Sequence, residues 1–167
     1  MGIYLKQNKN GAEHTEFSIQ KILVQNFMSG AAYMVPNMYY DLGEMDMFLL
    51  RRSGYAEEFE IKISTSDLRA DHKKQAKHSW LNHTYNTGEA AAKHKVPNRF
   101  SYVISDVVDT SNIVLPEYAG LYVVHNDHYL RCLTRPKTMH RHKYNWCEKV
   151  AGSCCHRLLR AYKLRNY

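Results

Sequence analysis

Asp46, Glu60 and Lys62 are the residues whose types and spacing could do chemistry. Arg52-Ser53-Gly54 separates two extended stretches, 44–51 and 56–64. With Gly54 in the left-handed conformation that a three-residue hairpin loop requires, Arg51 falls opposite Tyr55, Asp46 opposite Glu60 and Glu44 opposite Lys62. Side chains alternate along a strand, so these last four share a face. Met45, Met47 and Leu49 lie against Phe59, Ile61 and Ile63 on the other, apolar face. Two carboxylates directly across a sheet stand only about 4.5–5.5 Å apart at Cβ and repel. A divalent cation between them removes that repulsion and explains oxygen ligands there. It would also acidify a bound water and polarise a phosphoryl oxygen. Lys62 could orient the water or stabilise charge developing at phosphorus. The spacing alone fits equally well an exposed charged strand face with Glu44–Lys62 as an ordinary cross-strand pair.

The elements that must position this hairpin are readable from periodicity. Thr15 is a helix N-cap, followed by Phe17, Ile19, Ile22, Leu23 and Phe27 at helical spacing and ended by Ser29-Gly30. Residues 31–40 are extended but interrupted by Pro36-Asn37, which predicts an edge strand or a bulge. After the hairpin, Ser64, Thr65 or Ser66 caps a long polar helix toward Trp80, and 89–95 forms a short Ala-rich helical piece. Strands follow at 99–108, 119–125 and 128–133, the last two around Asn126-Asp127. A final helix spans about 144–164, with Trp146, Val150, Cys154, Leu158 and Tyr162 on one face. The order is α-β-β-β-α-β with additions, an α/β fold with a central mixed sheet covered by helices. One domain covers 1–167, with the core at about 15–133 and a basic C-terminal helical extension.

Asp46, a gap of 13 residues and then Glu60-Ile61-Lys62 resemble the bipartite signature of the PD-(D/E)XK nuclease superfamily. The string Glu60-Ile61-Lys62-Ile63-Ser64-Thr65-Ser66-Asp67-Leu68-Arg69-Ala70-Asp71-His72-Lys73-Lys74 sharpens the likeness. It is similar to the phage and bacterial branch that includes MmcB-like DNA-repair nucleases. Asn98-Arg99-Phe100-Ser101-Tyr102-Val103 and Pro116-Glu117-Tyr118-Ala119-Gly120-Leu121 resemble later strands of that branch, so the likeness covers about 15–125. The superfamily's proline is replaced by Met45. The resemblance implies a restriction-endonuclease-like core and a Mg²⁺- or Mn²⁺-dependent deoxyribonuclease of phage or mobile-element repair and recombination, leaving 5′-phosphate ends. It implies Asp46, Glu60 and the Ile61 carbonyl as metal ligands, Lys62 as the nucleophile-positioning residue, and Glu16 as a further acid from the first helix. Gln75 resembles a glutamine found near the metal in resolvase-like members, which often dimerise as homodimers. A DNA-binding protein without turnover and an RNA-directed nuclease are the alternatives.

The charge distribution points to a polyanionic partner. The net charge is +7, and from His128 onward ten Lys/Arg face the single acid Glu148, while the remainder holds 13 basic and 15 acidic residues. Such asymmetry is the footprint of a polyanion binder. For DNA the expected contacts are Ser64, Ser66, Arg69, Lys73, Lys74 and Lys77 after the hairpin, with Arg99, and Arg141 and Lys143 in the dense basic stretch 135–144. Cys132, Cys147, Cys154 and Cys155 have no zinc-site spacing and are expected as free thiols. No apolar run reaches membrane-spanning length, and residues 1–6 lack a secretory pattern. The expected setting is the cytoplasm of a bacterium or phage-infected host.

Overall fold

The structure, a computed structural model, describes residues 14–71, 75–89, 94–111, 114–125 and 129–165, excluding the side chains of 75 and 162–165. Helix α1 (Glu16–Phe27) opens with the expected cap. Thr15 Oγ1 accepts from the Ser18 amide while Ser18 Oγ accepts from the Thr15 amide, satisfying two of the donors a helix start leaves bare. A 3-10 turn, Met28–Gly30, leads into β1 (Ala31–Tyr40), β2 (Gly43–Arg51) and β3 (Ala56–Lys62). Then come α2 (Thr65–Asp71), α3 (Gln75–Thr87), β4 (Arg99–Ser105), β5 (Gly120–Val124), β6 (Leu130–Thr134) and α4 (Cys147–Arg165). The six strands form one mixed sheet in sequence order. β1, β2 and β3 are antiparallel, β3, β4 and β5 are parallel, and β6 returns antiparallel. Helices cover both sides, as α/β packing requires.

The β2–β3 hairpin has the expected register. Met47 pairs with Phe59, Phe48 with Glu58, Leu49 with Glu57 and Leu50 with Ala56. The Arg51 amide donates to the Tyr55 carbonyl at 2.9 Å, and Gly54 has φ +86. β1 is an edge strand, which tolerates Pro36. Asn37, at φ +47, turns the chain over there. The facing strand loses its alternation at the same level. Met45 joins Met38, Phe48 and Leu50 under α4, while Met47 and Leu49 pack under α1 with Phe59 and Ile61. The single apolar face expected for Met45 is therefore corrected, and Ile63 at 41% exposed lies outside the core altogether.

On the other side of β4, Phe100, Tyr102 and Ile104 pack against Leu68 of α2 and Leu81 of α3. The expected polar helix is helical at α2 and α3, and residues 72–74 between them lie outside the described residues. The short helical piece at 89–95 falls largely outside the described residues, as does the turn at 126–127. α4 begins at Cys147, its first amide bonded to Asn145 Oδ1, later than the expected 144. Trp146 and Val150 are buried, but Cys154 is exposed and Leu158 is 60% exposed, so among the described side chains the expected apolar face is buried only at its start. β1 is the sheet edge, and α4 lies against it. All four cysteines are free and exposed. Among the described residues no helix is long and apolar enough to cross a membrane.

One close approach ties the strap after β6 to the sheet. A Cβ built on Gly120 would sit 2.6 Å from Ser101 Oγ and 2.9 Å from the Pro136 nitrogen. The obstacle includes backbone and cannot rotate away. Gly120→Ala is therefore expected to cost about 1–3 kcal/mol by overpacking, read as a fall in melting temperature. An unchanged melting temperature would show that the strap is not seated there.

Candidate active site

β3 carries Glu58, Glu60 and Lys62 at alternate positions, hence on one face, and that face is fully covered. Glu58 is 0% exposed, Glu60 2% and Lys62 3%. Buried charges persist only when paired, and each has its partner. Glu60 Oε1 accepts from Lys62 Nζ at 2.9 Å, and Glu60 Oε2 accepts from Lys77 Nζ of α3 at 2.8 Å. Lys77 makes a still closer ion pair with Glu58, whose other oxygen accepts from the Tyr40 hydroxyl at 3.1 Å. Lys62 Nζ also lies 3.2 Å from Asp71 Oδ1 and 3.7 Å from Asp67. Asp71 Oδ2 in turn accepts from the Tyr102 hydroxyl at 2.8 Å and meets His78 Nε2 at 2.9 Å, while His78 Nδ1 faces the Tyr118 hydroxyl at 2.9 Å.

Asp46 reaches this group differently from the expected cross-strand pair. The described ladder between β2 and β3 stops at Met47 and Phe59. In the gap beyond it Asp46 Oδ2 accepts the Ile61 amide at 2.6 Å. The carboxylate lies between the strands instead of standing on the face beside Glu60. A strand residue presents its amide and carbonyl to the same neighbour, so the Ile61 carbonyl faces the same gap. The β2–β3 ladder does not extend to Glu44 and Lys62. Glu44 pairs with Tyr39 in β1, whose hydroxyl it raises in pKa by a hydrogen bond. Glu16 stands at the rim of the gap, where Glu16 Oε1 accepts from Gln20 and Asn37 at 3.0 Å each. Gln20 Nε2 also donates to the Asp46 carbonyl at 3.0 Å.

Proton affinities follow from this crowding. Burial, then the charges of Glu60 and Glu16, push the Asp46 carboxyl up to about 7 against the opposing pull of the Ile61 amide and Lys62. Burial acts to raise Glu60 as well, but Lys77 and Lys62 overcome it and hold Glu60 below the ordinary range. Burial likewise raises Glu58, with Lys77 opposing. Burial would lower Lys62 and Lys77, yet the carboxylates around them raise both. Tyr102 is raised by burial and by Asp71.

Among the described residues no group of three or more His, Cys, Asp or Glu side chains converges as a metal cage. The oxygen set that is present consists of Asp46, the Ile61 carbonyl and Glu60. These are hard donors of the kind Mg²⁺ or Mn²⁺ takes, and Asp46 is a carboxylate short of positive charge. These residues could hold a divalent cation only if Glu60 gave up an oxygen now held by a lysine.

The expected DNA-contacting residues divide into three groups. Ser64 Oγ caps α2 by accepting the Asp67 amide at 3.1 Å and lies 3.0 Å from Ser66 Oγ, and Arg69 is exposed on the same short helix. Ser64 and Ser66 follow Lys62 closely in the chain, whereas Arg69 lies on the side of α2 away from Asp67 and Asp71, toward Asp109. Lys77 is withdrawn from the surface set, because it is buried between Glu58 and Glu60. Arg99, Arg141 and Lys143 are at the opposite end of β3 and β4. Lys143 covers the Tyr55 ring at 5.1 Å and packs on Gly54 in the hairpin loop. Arg99 donates to Thr138, and Asn98 holds the His140 and His142 carbonyls at 3.0 and 2.8 Å. The four steps from Ala56 to Glu60 and six to Lys62 put that basic end about 13 Å from Glu60 and about 20 Å from Lys62. Lys73, Lys74 and the side chain of Gln75 lie outside the described residues.

Lys77, Glu58, Asp71 and His78 were not expected in the centre. A signal for Lys77 exists in the spacing Lys77, Leu81, Thr84, one helical stripe whose other two members are wholly buried.

No family model matches the chain, and no curated protein matches it. Among solved structures, the SPO1766 protein of unknown function from Silicibacter pomeroyi is similar with a TM-score of 0.57 and 14% identity, over 99% of this chain and 97% of that one. At that identity the likeness is one of fold: an α/β protein with one six-stranded mixed sheet flanked by four helices, the last of them C-terminal.

Proposed function

We propose that the chain is a metal-dependent nuclease that hydrolyses DNA phosphodiester bonds. The observation that carries the reading is Asp46. Accepting the Ile61 amide accounts for one of its oxygens, but burial and the charges of Glu60 and Glu16 raise its proton affinity to about 7, and a carboxylate perturbed in this way is a candidate ligand. Asp46, Glu60 and the Ile61 carbonyl would hold Mg²⁺ or Mn²⁺. Such an ion supplies, when bound, an acidified water and charge neutralisation at the scissile phosphate. Lys62, fixed by Glu60 and Asp71, keeps its proton and offers a directed ammonium to the attacking oxygen or to the phosphoryl oxygens. Ser66, exposed four residues after Lys62, would take an adjoining backbone phosphate, with Arg69 on the outer side of the same helix contributing positive charge. The setting consistent with this reading is phage or mobile-element DNA repair in a cytoplasm, and a homodimer is compatible with it.

A second reading has its own observation. Both Glu60 oxygens already accept from lysines, and a centre satisfied in this way could serve a DNA-binding protein without turnover.

The deciding experiment is cleavage of plasmid, linear duplex, single-stranded and branched DNA with Mg²⁺, Mn²⁺ or EDTA. Wild type is compared with Glu60→Gln and Lys62→Met. Metal-dependent cutting is expected, reduced about 10²–10⁴-fold in either variant. Cutting that survives both substitutions rejects the site. DNA binding without any cutting selects the second reading, with RNA as the next substrate.

A further inference from the structure

We propose that Lys77 is a positioning residue whose ammonium fills a cation place between Glu58 and Glu60, so that the centre takes one divalent cation and not two. The inference rests on the metal-dependent reading above.

Two-metal phosphodiesterase sites hold their ions about 3.5–4 Å apart across shared carboxylates. A second ion sharing Glu60 would need the oxygen that Lys77 already holds, since Glu60 Oε2 lies 2.8 Å from Lys77 Nζ. Lys77 also pairs with Glu58 and lies 5.5 Å from the centre of the Phe100 ring, which closes the place from the side. The ammonium is not a surface group that swings away. Lys77 shares a helical stripe with Leu81 and Thr84, both 0% exposed. The next residue, His78, anchors α3 to Asp71 and Tyr118.

The single ion would be held away from Lys77, by Asp46, Glu60 and the Ile61 carbonyl.

The test is the number of Mn²⁺ bound by the full chain without DNA, from calorimetry and from electron paramagnetic resonance of free Mn²⁺. Wild type, Lys77→Gln and Lys77→Arg are compared, with folding followed by circular dichroism. Wild type and Lys77→Arg are expected to bind one Mn²⁺. Lys77→Gln is expected to bind two or, if it is unfolded in EDTA, to fold when Mn²⁺ is added. Two Mn²⁺ on wild type or on Lys77→Arg would overturn the assignment while leaving the metal reading intact. So would a Lys77→Gln protein that binds one, or that stays unfolded in Mn²⁺. No Mn²⁺ on any of the three would remove the metal reading itself, and this inference with it.

Discussion

Lys77→Met, measured in EDTA by denaturant titration, should lose about 3–5 kcal/mol of folding stability, with a fall in melting temperature of about 10 °C. Methionine nearly matches the lysine stem and keeps its packing on α3, so the loss isolates the ammonium. What remains is Glu58, 0% exposed, with the Tyr40 hydroxyl as its remaining described partner, and Glu60 with one of its two described lysines gone. A buried carboxylate stripped of its counter-charge bears its desolvation alone. Burial already raises Glu58 with Lys77 present, so in the variant it will take up a proton, and the loss should be larger at pH 8 than at pH 5. Adding Glu58→Gln should return a good part of the stability, because the amide needs no counter-charge and can still accept from Tyr40. A double-mutant coupling near zero would mean that the two residues do not form the buried pair. A single-variant loss under about 1 kcal/mol, the range of exposed pairs, would mean that Lys77 is a surface lysine after all.

The contrast between Lys77 and Lys62 shows which parts of this centre were legible in the sequence. Lys62 follows from local rules. Gly54 sets a loop, the loop sets a register, and strand alternation puts Glu60 and Lys62 on one face. The ladder from Met47 to Leu50 follows that register, and Thr15 caps α1 by an equally local rule. Asp46 is only half legible. Its residue type and spacing single it out, but its route into the strand gap depends on Asn37 at φ +47 breaking alternation at the sheet edge, which no two-residue pattern contains. Lys77 was assigned outward because a lysine on a polar helix ordinarily faces water. Only the carboxylates of β3, brought under α3 by the fold, make an inward position tolerable. Arg99, Arg141 and Lys143 look continuous with the site in charge. Yet Asn98 binds residues 42 and 44 positions later and fixes them at the wrong end of the strands. For the same reason the periodicity of α4 ran past the surface that could bury it. Periodicity marks a helix face, but how far the sheet extends beneath it is a tertiary fact.

Asp46→Asn should make the protein more stable above neutral pH, and the pH profile of the gain is the informative part. Below the ordinary value of 3.8 the carboxyl is protonated in folded and unfolded chains alike, and ionisation contributes nothing. Between 3.8 and about 7 the unfolded chain has lost this proton while the folded one keeps it. Stability therefore falls as pH rises through that window. Above about 7 both states are ionised and the penalty is complete. Asparagine can still accept the Ile61 amide through its side-chain oxygen but carries no charge toward Glu60 and Glu16. The full displacement of the titration corresponds to about 4 kcal/mol. Asp46 is not fully buried, so solvent screening should reduce the gain to about 2 kcal/mol, or roughly 4–8 °C at pH 8, and to little at pH 5. Saturating Mn²⁺ should produce a similar rise in the wild-type protein at pH 8 by relieving the same repulsion, and a much smaller one in the variant. If the variant is no more stable than wild type at pH 8, Asp46 carries its charge without cost. Its partners within the chain then suffice, and the physical case for a cation in the strand gap falls with it.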